Sequence, residues 1–427
     1  MNNFLNIEAI QDGLEIEDQD VIKRYALSGR DVQDKYDRET GRTYPVAKFV
    51  GIVAGLSGTD LLISLPKNYM NLEDFRSLDY HKKIRHVRLI MANVCKKFDS
   101  KWYTRFDRHE DTEGNFAMDA FYRIYDYYRR YDLYKVNKRT IKPGYYGKVA
   151  WKDTMNRASK VIDHGNLVLL PMYIKEKQQV ENLITESMIF AINYTELLFG
   201  QFIELPDNSK IAGRGIDARF LNNTKEILNF LYQFRNTIYK DIDKELLNDI
   251  IVFLEKLNAG SRDKQHAVKD YRFDSVWEKA VEKYLNDYFV GMKDGKLEYS
   301  EGKNAGKKRF GKQVNRGYNR ARPEWSMQPD HYYKDGNTLY IFDSKYYNDV
   351  TDLNHKQFVY HVLYGRKVKV TYDALIIPSS GKTDTEPYVD IPYNWECSDE
   401  SGSDDDRRIV IYLNRLNTID VLKNFIG

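Results

Sequence analysis

The strongest apolar pattern in the chain is the run of four residues at 339–342, which follows a polar turn. An apolar run bounded by turn residues is typical of a strand that is buried on both faces. Because side chains alternate along a strand, Asp343 and Lys345 share one face, whereas Ser344 points away from it. A hairpin would return Asp330 to the same sheet edge, so the pattern predicts two carboxylates and an ammonium close together.

The remaining periodicity predicts three domains, at residues 1–110, 111–268 and 269–427. The fold class is mixed α+β. An N-terminal β-rich domain with a helix comes first, and a mainly helical middle domain follows it. The C-terminal domain is predicted as α/β, with a central mixed sheet flanked by helices.

The elements follow from alternation in strands and from the 3.6-residue period in helices. The first domain contains a loop at 31–42, strands at 45–53 and 61–65, and a helix at 81–98. The middle domain contains helical segments at 116–134, 179–202 and 224–257. The last domain contains helices at 274–289 and 354–364 and strands at 339–345 and 409–413. The segments 368–372 and 374–378 form one further strand or two.

Composition narrows the class of protein. A chain of 427 residues with 42% hydrophobic and 14% aromatic residues is expected to fold into globular domains. No apolar run reaches the roughly 18 residues of a membrane span, and the start of the chain does not resemble a secretory signal. Cys95 and Cys397 lack metal-ligand spacing and are predicted to be ordinary thiols in a reducing cytoplasm. The acidic tract at 398–406 is interpreted as a solvated loop without ligands.

The predicted hairpin suggests metal chemistry. Asp343 and Lys345 on a buried strand would carry a heavy desolvation cost unless a divalent cation offset it. Mg²⁺, or Mn²⁺ in its place, could be held by Asp330 and Asp343 with waters and phosphate oxygens completing the shell. Lys345 would then orient a water or neutralise charge in the transition state. The competing interpretation is a surface ion pair beside a common Pro-Asp turn.

Two helical residues complete the candidate site. Glu278, on the helix before the hairpin, is a third candidate metal ligand and catalytic acid, and Gln357 lies on the helix after it. This order, from the helix acid through Pro-Asp and Asp-x-Lys to a helix with Gln, resembles the PD-(D/E)xK nucleases. Taken alone, Glu278 could equally be a solvated helix acid, and Gln357 could equally be an exposed helix side chain.

A basic segment supplies candidate DNA contacts. The net charge is only +3, so a nucleic-acid surface must be local. The Gly-rich stretch 301–323 is predicted to be a flexible loop that could clamp a phosphate backbone, with Phe310 and Tyr318 available to stack on bases. An ordinary solvated loop is the alternative. The candidate DNA-binding residues are Lys307, Lys308, Arg309, Lys312, Arg316, Arg320 and Arg322.

Three groups of short motifs resemble the LlaJI-type branch of McrC-like restriction endonucleases. They lie at 48–53 with 64–67, at 147–152, and at 329–330 with 343–346. McrC-like chains usually have Ala where this chain has Ser344. The resemblance implies a PD-(D/E)xK nuclease core in the last domain and a cleavage subunit of a two-component restriction system. It also implies an McrB-like AAA+ GTPase or ATPase partner, on which the first two domains dock and whose nucleotide hydrolysis they stimulate.

No phosphate-binding Gly-x-x-x-x-Gly-Lys-[Ser/Thr] motif occurs in the sequence, so no nucleotide is expected on this chain itself. The expected partners are double-stranded DNA and the AAA+ subunit, with no membrane. Two other functions remain open. One is a self-sufficient restriction or repair endonuclease, and the other is a non-catalytic adaptor that activates a nucleotidase.

Overall fold

The computed structural model describes residues 6–55, 60–98, 112–113, 116–203, 211, 213–260, 266–303, 309–365, 368–392 and 408–427. The strands are β1 Asn6–Gln11, β2 Val32–Tyr36, β3 Thr43–Ala47, β4 Val50–Ala54, β5 Asp60–Leu65, β6 Thr112–Glu113, β7 Val136–Pro143, β8 Lys148–Val149, β9 Ser159–Asp163, β10 Asn166–Leu170, β11 Tyr173–Val180, β12 Ala267–Asp270, β13 Phe289–Lys293, β14 Lys296–Tyr299, β15 Asn315–Arg316, β16 Ser326–Met327, β17 His331–Asp335, β18 Thr338–Ser344, β19 Val370–Ser379, β20 Asp384–Pro392 and β21 Arg408–Asn417. The helices are α1 Gln19–Arg24, α2 Leu72–Ser77, α3 Tyr80–Cys95, α4 Met118–Tyr131, α5 Trp151–Arg157, α6 Leu183–Phe199, α7 Arg219–Asn222, α8 Thr224–Phe234, α9 Asp241–Gly260, α10 Phe273–Tyr288, α11 His355–Gly365 and α12 Thr418–Ile426, with a 3₁₀ turn at Lys96–Phe98.

The chain is mixed α+β and divides into two compact units. The first contains Met1–Phe116, Gln201–Glu204 and Gly260–Gly427, and the second contains Ala117–Gly200 and Leu205–Ala259. The predicted boundaries at residues 110 and 268 stay predictions. Most residues of the first and third predicted domains lie in one unit.

The first unit contains a five-stranded sheet in the order β1-β5-β4-β12-β6. The predicted hairpin is confirmed, because β4 and β5 pair antiparallel. Strand β12, which follows the second unit in the sequence, pairs antiparallel with β4. Gly51 permits this approach: its φ is +143°, and a Cβ there would lie 2.1 Å from the Val268 carbonyl oxygen. A sheet that includes residue 268 explains why the first and third predicted domains share one unit.

A two-stranded ribbon precedes this sheet, where a loop was predicted. β2 pairs antiparallel with β3, so the predicted loop at 31–42 is wrong over its first half. The single strand predicted at 45–53 is also wrong, because β3 ends at Ala47 and β4 begins at Val50. The residues of β2 are exposed or half-buried, and a strand without a buried face leaves no hydrophobic alternation to detect.

The second sheet of the first unit has the order β17-β18-β19-β21-β20. β17 and β18 form the predicted hairpin, turning at Gly336 with φ +56°, and β18 runs parallel to β19. Ile341 packs with Tyr360 of α11. Phe342 points to the other face, against Phe289. The apolar run therefore becomes a strand covered on both faces, as predicted. Of the one or two strands predicted at 368–378, the structure has one, β19.

The second unit combines helices with more strand than was predicted. Its sheet has the order β7-β11-β8, and β9 pairs with β10 in a separate hairpin. These strands expose most of their residues, which explains why helical periodicity dominated the prediction of a mainly helical region. The segment 224–257 forms two helices, α8 and α9. The N-terminus of α6 is fixed by a capping box between Asn182 and Thr185.

No helix in the described part of the chain is long and apolar enough to span a membrane. Cys95 is buried and forms no disulfide within the described ranges. Cys397 and the acidic tract at 398–406 lie outside the described residues.

Candidate active site

The β17–β18 hairpin brings Asp330 and Asp343 together. Asp343 is the penultimate residue of β18 and is only 1% exposed. Asp330 lies immediately before β17, and its Oδ2 accepts a hydrogen bond from the backbone N–H of Ser344 at 3.2 Å. That bond folds the Asp330 carboxylate over the end of β18, next to Asp343.

The surroundings of Asp330 perturb its pKa. Burial, with added repulsion from Asp343 and Glu278, raises the pKa of Asp330 to about 7, although the Lys345 ammonium opposes the shift. Adjacent carboxyl groups in a dry site cannot both ionise cheaply without a cation between them. Near neutral pH the Asp330 carboxyl therefore holds its proton for a large part of the time.

Two lysines face Asp343. The Lys345 ammonium forms an ion pair with Asp343 Oδ2, and Lys356 Nζ lies 3.9 Å from Asp343 Oδ1. Nevertheless, neither Asp343 oxygen accepts a regular hydrogen bond from the residues that the structure describes. Buried carboxylate oxygens normally accept such bonds. Both Asp343 oxygens can therefore bind a further ligand.

Glu278 reaches the site from α10, but it is already paired. Lys312 Nζ lies 2.5 Å from Glu278 Oε1. Burial acts to lower the pKa of Lys312, but the hydrogen bond and charge of Glu278 outweigh it and raise that pKa. Within the described ranges, no group of three or more His, Cys, Asp or Glu side chains is arranged to hold a metal ion. The structure thus presents two adjoining carboxylates, with Glu278 neutralised beside them.

Gln357 is fully buried, so its interpretation as an exposed helix side chain is wrong. Its Nε2 donates to the Ile341 carbonyl at 2.7 Å and to Asp373 Oδ1 at 3.3 Å. His361 Nδ1 lies 2.5 Å from the other Asp373 oxygen. Burial raises the pKa of Asp373 to about 6. The amide nitrogen of Gln357 therefore ties α11 to the sheet, and a role in orienting water stays a prediction.

The basic segment is only partly described. Lys307 and Lys308 lie outside the described residues, and Arg309, Arg316, Arg320 and Arg322 are exposed. The segment is not wholly irregular, because β15 pairs with β16. Phe310 is 1% exposed and packs against Phe289 and Phe342, so it cannot stack on a base. Tyr318 remains exposed.

An open groove lies beside this segment. Its volume is about 700 Å³. Basic side chains and two tyrosines line it, among them Arg309, Lys312, Lys334, Tyr332 and Tyr333. Lys312, which lines the groove, also forms the ion pair with Glu278.

Sequence reasoning missed Lys356 and the part played by residue 344. Lys356 is the residue before Gln357 at the start of α11, and that position was its only signal. The Ser344 side chain points away from Asp343, as predicted, and its Oγ lies 2.6 Å from Nε2 of the buried His331. The Ser344 backbone N–H donates a hydrogen bond to Asp330. A backbone group is the same in every residue type, so the sequence could not indicate this contact.

Neither a protein-family model nor a curated protein matches this sequence. Among solved structures, a chain from an assembly of Thermococcus gammatolerans McrB AAA+ hexamers with bound McrC is similar at a TM-score of 0.40 and 12% identity, covering 99% of this chain and 98% of that one. A chain from the Thermococcus gammatolerans McrBC complex is similar at a TM-score of 0.26 and 11% identity, covering 66% of this chain and 89% of that one. Similarities of this size establish neither a family nor an activity for this chain.

Proposed function

We propose that this chain is a Mg²⁺-dependent DNA endonuclease of the PD-(D/E)xK type, with Asp330, Asp343 and Lys345 as its central residues. The observation that carries the proposal is the buried, adjacent pair Asp330 and Asp343 at the end of one hairpin, facing the Lys345 ammonium. Such a pair is costly to fold without a ligand, and a carboxyl group with a raised pKa, like that of Asp330, is typical of functional sites.

The residues fit a divalent cation. Mg²⁺ is usually held by one or two carboxylates, with waters and substrate phosphate oxygens completing its shell. Asp343 offers two oxygens without hydrogen bonds, and Asp330 offers a carboxyl whose raised pKa a cation would lower. Asp330 and Asp343 would hold the ion, and Glu278 would join them only after separating from Lys312. The bound ion would supply a more acidic water and charge stabilisation at the phosphate.

The lysines supply the remaining electrostatics. Lys345, whose side chain is 20% exposed, neutralises Asp343 and is placed to interact with negative charge that develops on the phosphate. Lys356 is more exposed and offers a second ammonium on the other side of Asp343. Both lysines thus place positive charge beside the Asp343 carboxylate.

DNA is the substrate that the surroundings favour. The groove beside Lys312 is lined by basic and aromatic residues, and the exposed Arg316, Arg320 and Arg322 lie on the segment that leads to it. Arginine and lysine side chains on an open groove suit a phosphate backbone, which gives affinity without fixing the sequence that is read.

We also propose that the chain is the cleavage subunit of a two-component, McrBC- or LlaJI-like restriction system that acts in phage defence with an McrB-like AAA+ GTPase or ATPase. This part rests on the resemblance of the short motifs. The second unit exposes large apolar side chains, since Tyr146, Trp151 and Ile162 are 91%, 62% and 79% exposed. Exposed aromatic and apolar side chains of this kind are enriched where proteins associate.

The test is cleavage of plasmid DNA by the purified chain with Mg²⁺, with and without the co-encoded nucleotidase and GTP or ATP. We expect efficient cleavage only when the nucleotidase and its nucleotide are present. Efficient cleavage by the chain alone would overturn the two-component part and support a self-sufficient endonuclease. Stimulated nucleotide hydrolysis without any cleavage would support the adaptor and contradict the nuclease.

A further inference from the structure

A turn from the first sheet holds the chain immediately after Lys345. The Lys345 backbone N–H still donates to the Ile376 carbonyl of β19, at 2.9 Å. Tyr346 then leaves the sheet and is buried against Phe273. On its other side stands Lys67, two residues beyond β5. Its backbone N–H donates to the Tyr346 hydroxyl at 2.8 Å, and its Nζ donates to the Tyr346 carbonyl at 3.2 Å.

The Tyr346 hydroxyl is held from two directions. It accepts from the Lys67 backbone, and it shares a hydrogen bond with the buried carboxyl of Asp12. The Lys67 ammonium also lies 4.8 Å from the centroid of the Tyr346 ring. A cation over an aromatic face and a satisfied buried hydroxyl both favour one fixed position of the ring.

Contacts of the next residues extend the same junction. Asn68 Nδ2 donates to the Asn348 carbonyl at 2.8 Å, and Asn348 Nδ2 donates to the Gly13 carbonyl at 3.2 Å. Gly13 has φ +81°, and a Cβ there would lie 2.9 Å from both Asn348 Nδ2 and Lys67 Cε. Two turns of the first sheet therefore close around residues 346–348, and only glycine fits at the tightest point.

We propose that Lys67 and Tyr346 are positioning residues that fix the Lys345 ammonium against Asp343. Lys345 is the last residue whose backbone follows the β18–β19 ladder, so the direction of its side chain depends on what anchors the residue after it. That anchor belongs to the other sheet, and the first sheet thereby becomes part of the catalytic apparatus. The inference rests on the proposed function only where it gives Lys345 a role in cleavage. The anchoring of Tyr346 by Lys67 can be measured without cleavage.

The test compares Tyr346→Phe and Lys67→Met with Lys23→Met, a matched substitution at a lysine whose side chain is 85% exposed. Tyr346→Phe keeps the ring and removes the shared hydroxyl, and Lys67→Met keeps the stem and removes the ammonium. Because displacing a reacting group by about 1 Å can cost on the order of 10²-fold, we expect kcat to fall about 10- to 10²-fold in both variants. KM for DNA should stay unchanged, and Lys23→Met should behave as wild type.

Hydrogen exchange of the same variants provides a second measurement. Peptides covering 343–350 should exchange faster in Tyr346→Phe and Lys67→Met, while peptides from β20 and β21 stay unchanged. Unchanged exchange at 343–350 would overturn the proposal, as would faster exchange with a wild-type kcat. If the wild-type chain itself fails to cleave under every condition, the proposed function fails. The exchange result then still decides whether the anchor exists.

Discussion

The Asp330 carboxyl makes the stability of the metal-free protein depend on pH, and Asp330→Asn should remove that dependence. The folded pKa of Asp330 is about 7, against an ordinary value of 3.8. A carboxyl with a raised folded pKa binds its proton more tightly in the folded state. Its penalty is absent below pH 4, grows between about pH 4 and 7, and is complete above pH 7. At about 1.4 kcal/mol for each pKa unit, the full penalty is ~4 kcal/mol.

Urea denaturation in EDTA at pH 4.5 and pH 8 measures this effect. Asp330→Asn should be more stable than wild type by only about 1 kcal/mol at the lower pH and by about 4 kcal/mol at the higher pH. The amide keeps an oxygen that can accept the Ser344 N–H, so the fold is preserved. Asp335→Asn, at the exposed turn of the same hairpin, is the control. Equal stability of wild type and Asp330→Asn at pH 8 would refute the assignment of a strained carboxylate pair.

Three further predictions concern the surroundings of this pair. Lys356→Ala removes the ammonium beside Asp343 and should lower kcat/KM for plasmid cleavage about 10- to 10²-fold. A wild-type kcat/KM would show that Lys356 is not part of the active site. Gln357→Ala removes the buried hydrogen bonds from the Gln357 amide to the Ile341 carbonyl and to Asp373, and should lower the free energy of unfolding by about 1–3 kcal/mol. Lost cleavage at unchanged stability would instead give Gln357 a catalytic role. When Arg316, Arg320 and Arg322 are all changed to alanine, the slope of log affinity for DNA against log salt concentration should fall by up to about 3 units. An unchanged slope would exclude these exposed arginines from the DNA surface.

The local parts of the candidate site could be predicted from the sequence. The strand that carries Asp343 and Lys345 shows a contiguous apolar run, and the hairpin follows from the turn before it. Alternation along a strand then placed Asp343 and Lys345 on one face and Ser344 on the other. The helix that carries Glu278 followed from its apolar stripe. Each of these inferences uses neighbours within about 15 residues.

Contacts between distant parts of the chain could not be predicted. The Lys67–Tyr346 hydrogen bond joins residues 279 positions apart. The pairing of β12 with β4 brings residues 267–270 into the first sheet. Neither contact leaves a periodic signal, because each partner looks like an ordinary residue in its own segment. Lys312 and Glu278 each had a predicted role, but nothing in their separate patterns indicated that they would neutralise each other.

The exposed strands of the second unit could not be predicted for a different reason. β7 and β11 are largely solvent-facing and rich in charged residues, so they lack the alternation by which a half-buried strand is detected. Backbone hydrogen bonds hold these strands together, and because nearly every residue carries the same backbone groups, the sequence does not show where such pairing occurs.

The most direct test of the proposed nuclease site is plasmid cleavage with Mg²⁺ by wild type, Asp343→Ala and Lys345→Ala, each with the co-encoded nucleotidase and its nucleotide. We predict that wild type cuts, that EDTA stops it, and that Asp343→Ala abolishes cutting. Lys345→Ala should slow cutting by at least ~10²-fold, because one transition-state stabiliser is lost. Circular dichroism and partner binding should show both variants folded and competent. Cutting at the wild-type rate by both variants would contradict the site.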